Sequence, residues 1–306
     1  MTKVLVTGGA GFIGSHIVEK LVDDNYEVVI VDNLGTGLKN NINISAKFYE
    51  CDITSDKIYH IVEESKPNYI IHQAAQVSVA RSIEEIQKDA EINILGSIKL
   101  IDAAIKNNVK KIVFASSAAV YGNPVHVPVN TKHPINPLSP YGLSKYTIEK
   151  YLRLTKEIYG LDFAILRYSN VYGPRQSSNG EGGVVSIFFN NIINNLPIEI
   201  HGDGNQTRDF IYVKDVANAN VLALKNGSGK TLNISTGIGV SINELYEEIR
   251  TITNKSSKVN YTKKRTGDID HSILDNSLTK YVLDWKPNYS LKNGLEEYLN
   301  SYIKLV

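Results

Sequence analysis

A tyrosine and a lysine four residues apart are the side chains in this sequence best suited to proton chemistry. Ser139 can cap a helix and Pro140 suits its first position, so Tyr141 and Lys145 would share one helical face. An ammonium group beside a phenol favours the phenolate, so we expect Lys145 to lower the pKa of Tyr141 from its usual value near ~10. A tyrosine perturbed in this way can act as a general base near neutral pH. The same spacing also fits two unrelated residues on a surface helix, so the rest of the chain must decide.

The first half of the chain alternates short β-branched runs with helical stretches, which predicts a parallel, doubly wound α/β sheet of the Rossmann-like kind. The predicted strands are Val4–Thr7, Glu27–Val31, Lys47–Glu50, Tyr69–His72, Lys111–Ala115 and Phe163–Arg167. The predicted helices are Gly14–Asp24, Ser55–Glu64, Glu84–Asn107 and Pro140–Tyr159, with Gly160 placed to end the last one.

The pattern changes after Asn170, which predicts a second, smaller α/β lobe. Helices are expected at Val184–Asn195, Ile242–Thr253 and Leu291–Ile303. Thr231–Ser235 reads as one more strand that rejoins the main sheet. The chain is therefore expected to cross between the two lobes more than once.

A glycine-rich turn follows the first predicted strand and opens the first helix. Gly9, Gly11 and Gly14 satisfy the G-x-G-x-x-G spacing, and Gly8 extends it to the related G-x-x-G-x-x-G form. Such a turn lets a pyrophosphate approach a helix N-terminus. Asp32 ends the second strand eighteen residues after Gly14, where a carboxylate would accept hydrogen bonds from an adenosine ribose. The carboxylate would repel a 2′-phosphate, which favours NAD over NADP.

Three further segments could border the same dinucleotide, but each has a plainer explanation. Asp52 and Ile53 could line an adenine pocket or simply form a strand-end turn. The small residues Ala74 and Ala75 follow the fourth strand and would let the chain pass close to a cofactor. Asn93 could hold a backbone turn or face solvent.

These motifs jointly resemble the extended short-chain dehydrogenase/reductase superfamily, and within it the UDP-glucose and UDP-N-acetylglucosamine 4-epimerases. The resemblance runs from Lys3 to the C-terminal helix. It rests on Thr7–Gly14, Asp32-Asn33, His72–Ala75, Ser116–Gly122, Tyr141–Lys145, Arg167–Arg175 and Thr207–Asp209.

The resemblance implies a catalytic set of Ser117, Tyr141 and Lys145. Tyr141 would take the proton of the sugar 4-hydroxyl as hydride leaves carbon 4 for NAD, and a 4-keto sugar would turn over in the pocket before reduction on its other face. Ser117 would bond the reacting oxygen, whereas Ser116 would point the opposite way and be structural. The implied NAD contacts are Gly8, Gly11, Phe12, Ile13, Gly14, Asp32, Asn33, Asp52, Ile53, Ala74, Ala75 and Asn93, together with Tyr141 and Lys145.

The resemblance also implies a UDP-sugar site in the second half of the chain, where three of the seven arginines fall in polar loops. Arg208 and Arg265 would grip the diphosphate, with Asp268 near the uridine ribose. Asn170 would contact the diphosphate or sugar, and Arg175 is equally well explained by a surface ion pair. Ser272 is small where related epimerases carry a tyrosine, which leaves room for a 2-acetamido group. The substrate contacts would thus be Ser117, Tyr141, Asn170, Arg208, Arg265, Asp268 and Ser272.

Two alternatives to this epimerase remain open. A UDP-uronic acid 4-epimerase is one, and a non-catalytic NAD-binding sensor of the same superfamily is the other. The 4,6-dehydratases carry acidic residues where this chain has Ala118 and Ala119, and an alanine cannot transfer a proton, so dehydration is not expected. The NAD-binding part would span 1–172 with a returning segment near 210–236, and 173–306 would mainly bind substrate.

The bulk composition limits the possible partners. A net charge of +1 gives no electrostatic case for nucleic acid or an anionic membrane. Cys51 is the only cysteine, and the first residues enter a strand directly, so a cytoplasmic protein is expected. The histidines show no metal-ligand spacing, so no metal is expected. Apolar residues over a wide arc of the predicted Glu84–Asn107 and Pro140–Tyr159 helices indicate a homodimer, although burial under the second lobe would also explain them.

Overall fold

The β-branched runs of the first half form the strands of one parallel sheet. A computed structural model describes residues 1–177, 183–264 and 269–303. The main-sheet strands are β1 (Lys3–Thr7), β2 (Glu27–Asp32), β3 (Lys47–Glu50), β4 (Tyr69–His72), β5 (Lys111–Ser117) and β6 (Asp162–Tyr168). The smaller strands are β7 (Asn170–Tyr172), β8 (Ile198–His201), β9 (Thr207–Arg208) and β10 (Phe210–Tyr212). Strand β11 (Lys230–Ile234) is followed by β12 (Val240–Ser241), β13 (Val259–Thr262) and β14 (His271–Ser272).

The helices flank these strands on both sides. In the first half they are α1 (Phe12–Asp23), α2 (Lys57–Ser65), α3 (Val79–Glu84), α4 (Ile86–Ala90), a π-helical segment (Glu91–Gly96), α5 (Ser97–Lys106) and α6 (Pro140–Tyr159). In the second half they are α7 (Val184–Ile193), α8 (Val213–Lys225), α9 (Ile242–Thr253), α10 (Ser277–Leu283) and α11 (Leu291–Ile303). Short 3₁₀ turns cover Lys39–Asn41 and Ala118–Val120. In the described part of the chain, no helix is both long and apolar enough to cross a membrane.

The strand order of the main sheet is β11-β6-β5-β4-β1-β2-β3, with neighbouring strands parallel throughout. The fold is therefore a Rossmann-like α/β sheet, as the sequence predicts, and β11 rejoins it beside β6. The strand order reverses between β1 and β4, and ligands of such sheets bind outside the carboxyl ends at that crevice. The glycine-rich turn after β1 and the residues after β4 and β5 all lie at this edge.

Apolar residues pack on both faces of the sheet and in a third cluster away from it. One face buries Ile17, Val18 and Leu21 of α1 together with residues of α8. The opposite face packs α2, α5 and α6 against the sheet. The third cluster joins α7, α9 and α11 to the short strands of the second half. The sheet is thus covered on both sides, which explains why its inner strands are almost continuously apolar.

The expected single helix over Glu84–Asn107 is wrong. The chain breaks at Glu85, whose φ of −122° and ψ of 60° are not helical, and residues Glu91–Gly96 widen into a π-helical turn. Ser97 donates its hydroxyl hydrogen bond to the Asn93 carbonyl at 2.6 Å, while the Asn93 side chain bonds the backbone of Gln76. Side-chain bonds of this kind disturb the regular helical ladder, and π turns are frequent at functional sites.

Candidate active site

The glycine-rich turn forms a tight corner between β1 and α1. A methyl group built on Gly14 would lie 2.0 Å from the Gly8 carbonyl oxygen, so only glycine fits there. Helix α1 begins at Phe12, two residues before the predicted start, and no side chain caps its N-terminus. The first backbone N–H groups of the helix are therefore available to an anion, and this corner fits a dinucleotide diphosphate.

Asp32 lies at the end of β2 beside that corner and is buried. One carboxylate oxygen accepts a hydrogen bond from the Ala10 backbone N–H at 3.0 Å, and the other from the Leu34 N–H at 2.8 Å. These bonds fix the carboxylate next to the turn. The position fits the predicted ribose contact, since a carboxylate oxygen can accept more than one hydrogen bond.

Asn33 and Asp52 come together at the next strand end. The Asn33 amide donates to Asp52 at 2.8 Å, and Thr54 donates to the other Asp52 oxygen from its backbone and its hydroxyl. Burial opposes ionisation of Asp52, but these hydrogen bonds outweigh it and hold its pKa below the usual range. Asp52 therefore does form a strand-end turn, and that turn also presents the buried Ile53 side chain towards Gly96 of the π segment.

Ala74 and Asn93 border the corner from the β4 side. A methyl group on Gly8 would lie 2.7 Å from the Ala74 backbone nitrogen, so the two segments are in close contact. The Asn93 side chain accepts from the Gln76 N–H at 2.8 Å and donates to the Gln76 carbonyl at 2.9 Å. Asn93 is buried, so it holds a backbone turn and does not face solvent.

Tyr141 and Lys145 lie on the first turns of α6, as the sequence predicts. The Ser139 hydroxyl caps the helix by accepting the Gly142 N–H at 3.1 Å, and Pro140 occupies the first turn. A methyl group on Gly142 would lie 2.6 Å from the Ala119 carbonyl oxygen. The missing side chain at Gly142 thus allows the helix to approach the chain leaving β5, which carries Ser117.

The expected effect of Lys145 on Tyr141 is wrong for the chain without ligands. Burial raises the pKa of Tyr141, a hydrogen bond with Ser117 lowers it, and the charge of Asp89 raises it. Lys145 is not among the groups that perturb it. The lysine is buried, its Nζ donates to the Ala115 carbonyl at 3.0 Å, and it lies 5.9 Å from the centre of the Tyr141 ring. Burial lowers the pKa of Lys145 to about 8.

The two serines at the end of β5 have different surroundings. The Ser117 hydroxyl accepts the Ala119 N–H at 3.2 Å and meets Tyr141. Ser116 is buried and donates to Glu149 of α6 at 2.7 Å, so its contacts are structural, as predicted. His72, another titratable group nearby, is a packed core histidine that bonds Thr7 and Ser97.

Three of the predicted substrate residues lie next to Asp209. Its backbone N–H donates to the Ser272 carbonyl at 3.0 Å, and its carbonyl accepts the Asn170 N–H at 2.9 Å. Ser272 of β14 is also the direct strand partner of Arg208 in β9. Asn170, Arg208 and Ser272 are therefore neighbours, although they are far apart in sequence.

Two of the predicted substrate residues, Arg265 and Asp268, lie outside the described residues. Arg175 forms an ion pair with Glu19 of α1. A hydrogen bond from His16 and the Arg175 pair lower the pKa of Glu19 to about 2, against the opposing effect of burial. The ion-pair explanation of Arg175 is the one that the geometry supports.

Comparisons with known proteins agree with this arrangement. The model of the NAD-dependent epimerase/dehydratase family matches residues 4–235. The chain belongs to this family. A protein of Methanocaldococcus jannaschii named putative UDP-glucose 4-epimerase is 49% identical over 298 residues, which cover 97% of each chain. NAD is the cofactor of the family, and the corner at Gly8–Gly14 fits it.

Solved structures of similar proteins cover the whole fold. The UDP-glucose 4-epimerase of Thermotoga maritima with UDP-glucose has a TM-score of 0.97 at 43% identity and covers 99% of both chains. A UDP-N-acetylglucosamine 4-epimerase from Methanobrevibacter ruminantium, in complex with UDP-N-acetylmuramic acid, has a TM-score of 0.95 at 38% identity. That match covers 100% of this chain and 99% of the other.

Among the described residues, three buried acids around the candidate site receive no role of their own from the sequence reasoning. They are Asp89, Glu149 and Asp209. Glu149 lies four residues after Lys145, so continuing the helical spacing past the lysine would have found it. The other two have no local signal, since their partners come from distant parts of the chain.

Proposed function

We propose that this NAD-dependent nucleotide-sugar 4-epimerase inverts carbon 4 of a UDP-hexose, with UDP-glucose and UDP-galactose as one pair of substrates. The observation that carries the proposal is the meeting of Tyr141 and Ser117 at the carboxyl edge of the sheet, one helical turn from the buried Lys145. This edge lies beside the corner that fits the dinucleotide. A base, a hydrogen-bonding hydroxyl and a cofactor site would then lie together at this edge of the sheet.

Beside Tyr141, NAD would be held by the residues of the glycine-rich turn and by those around it. They are Gly8, Gly11, Phe12, Ile13 and Gly14, with Asp32, Asn33, Asp52, Ile53, Ala74, Ala75 and Asn93 around them. Bound NAD supplies a reversible hydride acceptor with a cationic nicotinamide ring.

Tyr141 removes the proton of the 4-hydroxyl and returns one to the same oxygen after the 4-keto sugar has turned. Ser117 bonds that oxygen in both states, because a hydroxyl can donate or accept. Lys145, one helical turn away, would bind the nicotinamide ribose. Burial disfavours the phenolate of Tyr141 in the chain without ligands, so a cation that approaches the ring on cofactor binding would favour it.

Two alanines after Ser117 support epimerisation over loss of water. Removal of water from carbons 5 and 6 needs a group that transfers a proton there, in addition to Tyr141. Ala118 and Ala119 occupy the 3₁₀ turn between β5 and the catalytic helix, and neither can transfer a proton. The tyrosine therefore acts at one position of the sugar.

Arg208 and Asn170 are proposed to bind the diphosphate, and Ser272 to border the sugar. Backbone hydrogen bonds join Asp209 to Asn170 and Ser272, and Ser272 pairs with Arg208, so the three residues lie close together. Arg265 and Asp268 complete the proposed UDP site. Because Ser272 is small, we propose that 2-acetamido sugars such as UDP-N-acetylglucosamine are also accepted. We assign NAD mainly to residues 1–172 with the returning segment near 210–236, and the UDP-sugar mainly to 173–306.

A homodimer through α3, α4 and α6 is also proposed. Large apolar side chains on these elements are strongly exposed, from 45% at Val79 to 61% at Ile86, with Ile83, Leu143, Leu154 and Ile158 between. A second copy would cover them, as apolar patches of this kind mark interfaces. Sedimentation of Leu154→Glu should then show a smaller species than wild type. We place the dimer in the cytoplasm.

The experiment is to incubate the purified protein with UDP-glucose, UDP-galactose, UDP-N-acetylglucosamine and UDP-glucuronic acid, and to identify products by proton NMR. We expect 4-epimers of the hexoses without added NAD. Tyr141→Phe should bind NAD but form no product, whereas Tyr146→Phe, on the same helix, should retain activity. Loss of water would indicate a dehydratase, and turnover of UDP-glucuronic acid alone would indicate a uronic acid epimerase. No product from any sugar would refute the proposed function.

A further inference from the structure

Asp89 is a buried acid beside the catalytic helix that the mechanism above does not use. Its carboxyl group is on α4 and the residue is 1% exposed. Its Oδ1 accepts hydrogen bonds from the Gln76 amide at 3.0 Å and from the Asn93 amide at 2.9 Å. Both of these donors, found among the described residues, are neutral amides. A buried charge that is bonded only by amides acts on its surroundings more strongly than a paired one, because the interior screens it weakly.

A short chain of contacts connects Asp89 to the turn that carries Tyr141 and Lys145. The Asn93 amide that donates to Asp89 also lies 3.3 Å from the Ser144 hydroxyl. Ser144 in turn donates to the Tyr141 carbonyl at 2.9 Å. The π-helical turn positions Asn93 for this role, so Asp89 rests against the first turn of α6.

The negative charge of Asp89 acts on both members of the pair in the same direction. It raises the pKa of Tyr141, in addition to the larger effect of burial and against the Ser117 hydrogen bond. It also raises the pKa of Lys145, against the larger lowering by burial. Both groups therefore hold their protons more tightly than they would beside a neutral residue.

Two other titratable groups packed around the pair carry no charge near neutral pH. His72 on β4 is neutral because burial, and then Lys145, lower its pKa to about 3. Burial raises the pKa of Tyr168 on β6, so it remains a phenol.

Several charges on the neighbouring elements are paired. Arg81 with Glu85, and Lys88 with Glu91, form ion pairs at the solvent-exposed surface of α3, α4 and the π segment. Glu149, further along α6, is paired with Arg167 of β6. Among the described residues, Asp89 is therefore a buried acid beside the pair that is bonded by neutral amides.

We propose that the buried carboxylate of Asp89 is a positioning residue that sets the electrostatic potential at the Tyr141–Lys145 pair and so fixes the pH range of epimerisation. The proposal rests on the proposed function. It assigns to Asp89 a role that acts through Tyr141 and Lys145 and involves no contact with the sugar.

The test compares Asp89→Asn with Asp215→Asn. Asparagine keeps an oxygen that accepts the Gln76 and Asn93 bonds but removes the charge. Asp215 is an equally buried acid on α8 whose carboxylate accepts the backbone N–H groups of Asn288 and Tyr289. It serves as the matched control because its bonds lie away from the pair. Asp89→Ser is the second variant at the site.

Two readouts are measured on the NAD-loaded protein. The first is the pH profile of kcat/KM for UDP-galactose. The second is the titration of the Tyr141 ring, followed by ¹³C NMR with tyrosine labelled at Cζ and assigned with Tyr141→Phe. The second readout does not depend on turnover, so failure of this proposal is distinguishable from failure of the proposed function.

We expect Asp89→Asn and Asp89→Ser to move both limbs of the profile, and the Tyr141 titration, to lower pH by about one unit. Asp215→Asn should leave all three where they are in wild type. Unmoved limbs and an unmoved Tyr141 titration in the Asp89 variants would overturn the proposal. So would an equal shift in Asp215→Asn. Failure of both Asp89 variants to fold, while Asp215→Asn folds, would show a purely structural role and overturn it as well.

Discussion

The buried ion pair between Glu149 and Arg167 is expected to be a main determinant of the stability of the catalytic helix. Glu149 is 0% and Arg167 3% exposed. The guanidinium donates to both carboxylate oxygens, at 2.8 and 2.5 Å, and Ser116 donates to the same carboxylate at 2.7 Å. These bonds join α6 to β5 and β6, so they connect the helix of Tyr141 to the strand of Ser117.

Glu149→Gln keeps the shape of the side chain and leaves the guanidinium buried without a counter-charge. Removal of one partner of a buried pair costs about 3–5 kcal/mol. That is a large part of the roughly 5–15 kcal/mol that stabilises a typical domain. At roughly 2–4 °C per kcal/mol for a chain of about this size, the melting temperature should fall by about 10 °C.

The assay is thermal unfolding followed by circular dichroism, at one fixed NAD concentration because bound ligand stabilises the folded state. Glu64→Gln is the matched control, since the Lys47–Glu64 pair is 58% and 61% exposed, and we expect no measurable change. The double variant Glu149→Leu/Arg167→Met should recover much of the loss, because apolar residues can replace a buried pair. A Glu149→Gln melting temperature within about 2 °C of wild type would show that the pair is not a main determinant of stability.

Three further predictions concern the site. Gly142→Ala places a methyl group 2.6 Å from the Ala119 carbonyl oxygen, so it should displace the first turn of α6 and lower kcat at least about tenfold. The control Gly160→Ala has nothing within 4 Å and lies at the far end of α6; its left-handed φ of 74° should cost some stability, but the folded variant should retain kcat. Equal activity of the two variants would contradict the close approach. Ser272→Tyr should lower turnover of UDP-N-acetylglucosamine by more than about tenfold and retain turnover of UDP-glucose, whereas the control Ser272→Ala should retain both. Undiminished turnover of UDP-N-acetylglucosamine by Ser272→Tyr would exclude Ser272 as the determinant of sugar specificity. Burial lowers the pKa of Lys145 to about 8, so its ammonium group is present below that pH and is lost above it. We therefore expect kcat to fall as the pH rises through about 8. A kcat that stays constant from about pH 7 to about pH 10 would contradict this prediction.

Most of the main sheet could be predicted from the sequence because its inner strands are buried on both faces. Such strands read as continuous β-branched runs, and each predicted run from Val4–Thr7 to Phe163–Arg167 falls within one strand of the sheet. The caps of α6 were also readable, because Ser139, Pro140 and Gly160 are strong local signals. Local chemistry is sufficient for features of this kind.

Other elements could not be predicted because their stability is not local. Helix α8 is buried around most of its circumference, including Asp215 and Asn220, so it lacks the apolar stripe of a surface helix. The strands β9 and β14 are two residues long and exist through pairing across about sixty intervening residues. The π turn depends on Asn93 reaching the backbone of Gln76, a contact that helical periodicity does not reveal.

The residues of the candidate site could be singled out from the sequence, but their electrostatics could not be predicted. The glycine turn, Asp32, Ser117, Tyr141 and Lys145 are recognisable by type and spacing. The direction of the Tyr141 pKa shift could not be predicted, because it depends on burial and on Asp89. Lys145 instead donates a hydrogen bond from its Nζ to the Ala115 carbonyl. A spacing of four residues fixes the shared helical face and leaves the pKa to the tertiary structure.

In the proposed mechanism, the protein oxidises and reduces the sugar at the same carbon without releasing it. The most direct test is to incubate the protein with UDP-galactose deuterated at carbon 4, in ordinary water and without a second nucleotide, and to follow the product by NMR. We predict UDP-glucose that keeps its deuterium at carbon 4, with no product from Tyr141→Phe. UDP-glucose with hydrogen from water at carbon 4, or a product that has lost water, would contradict the account.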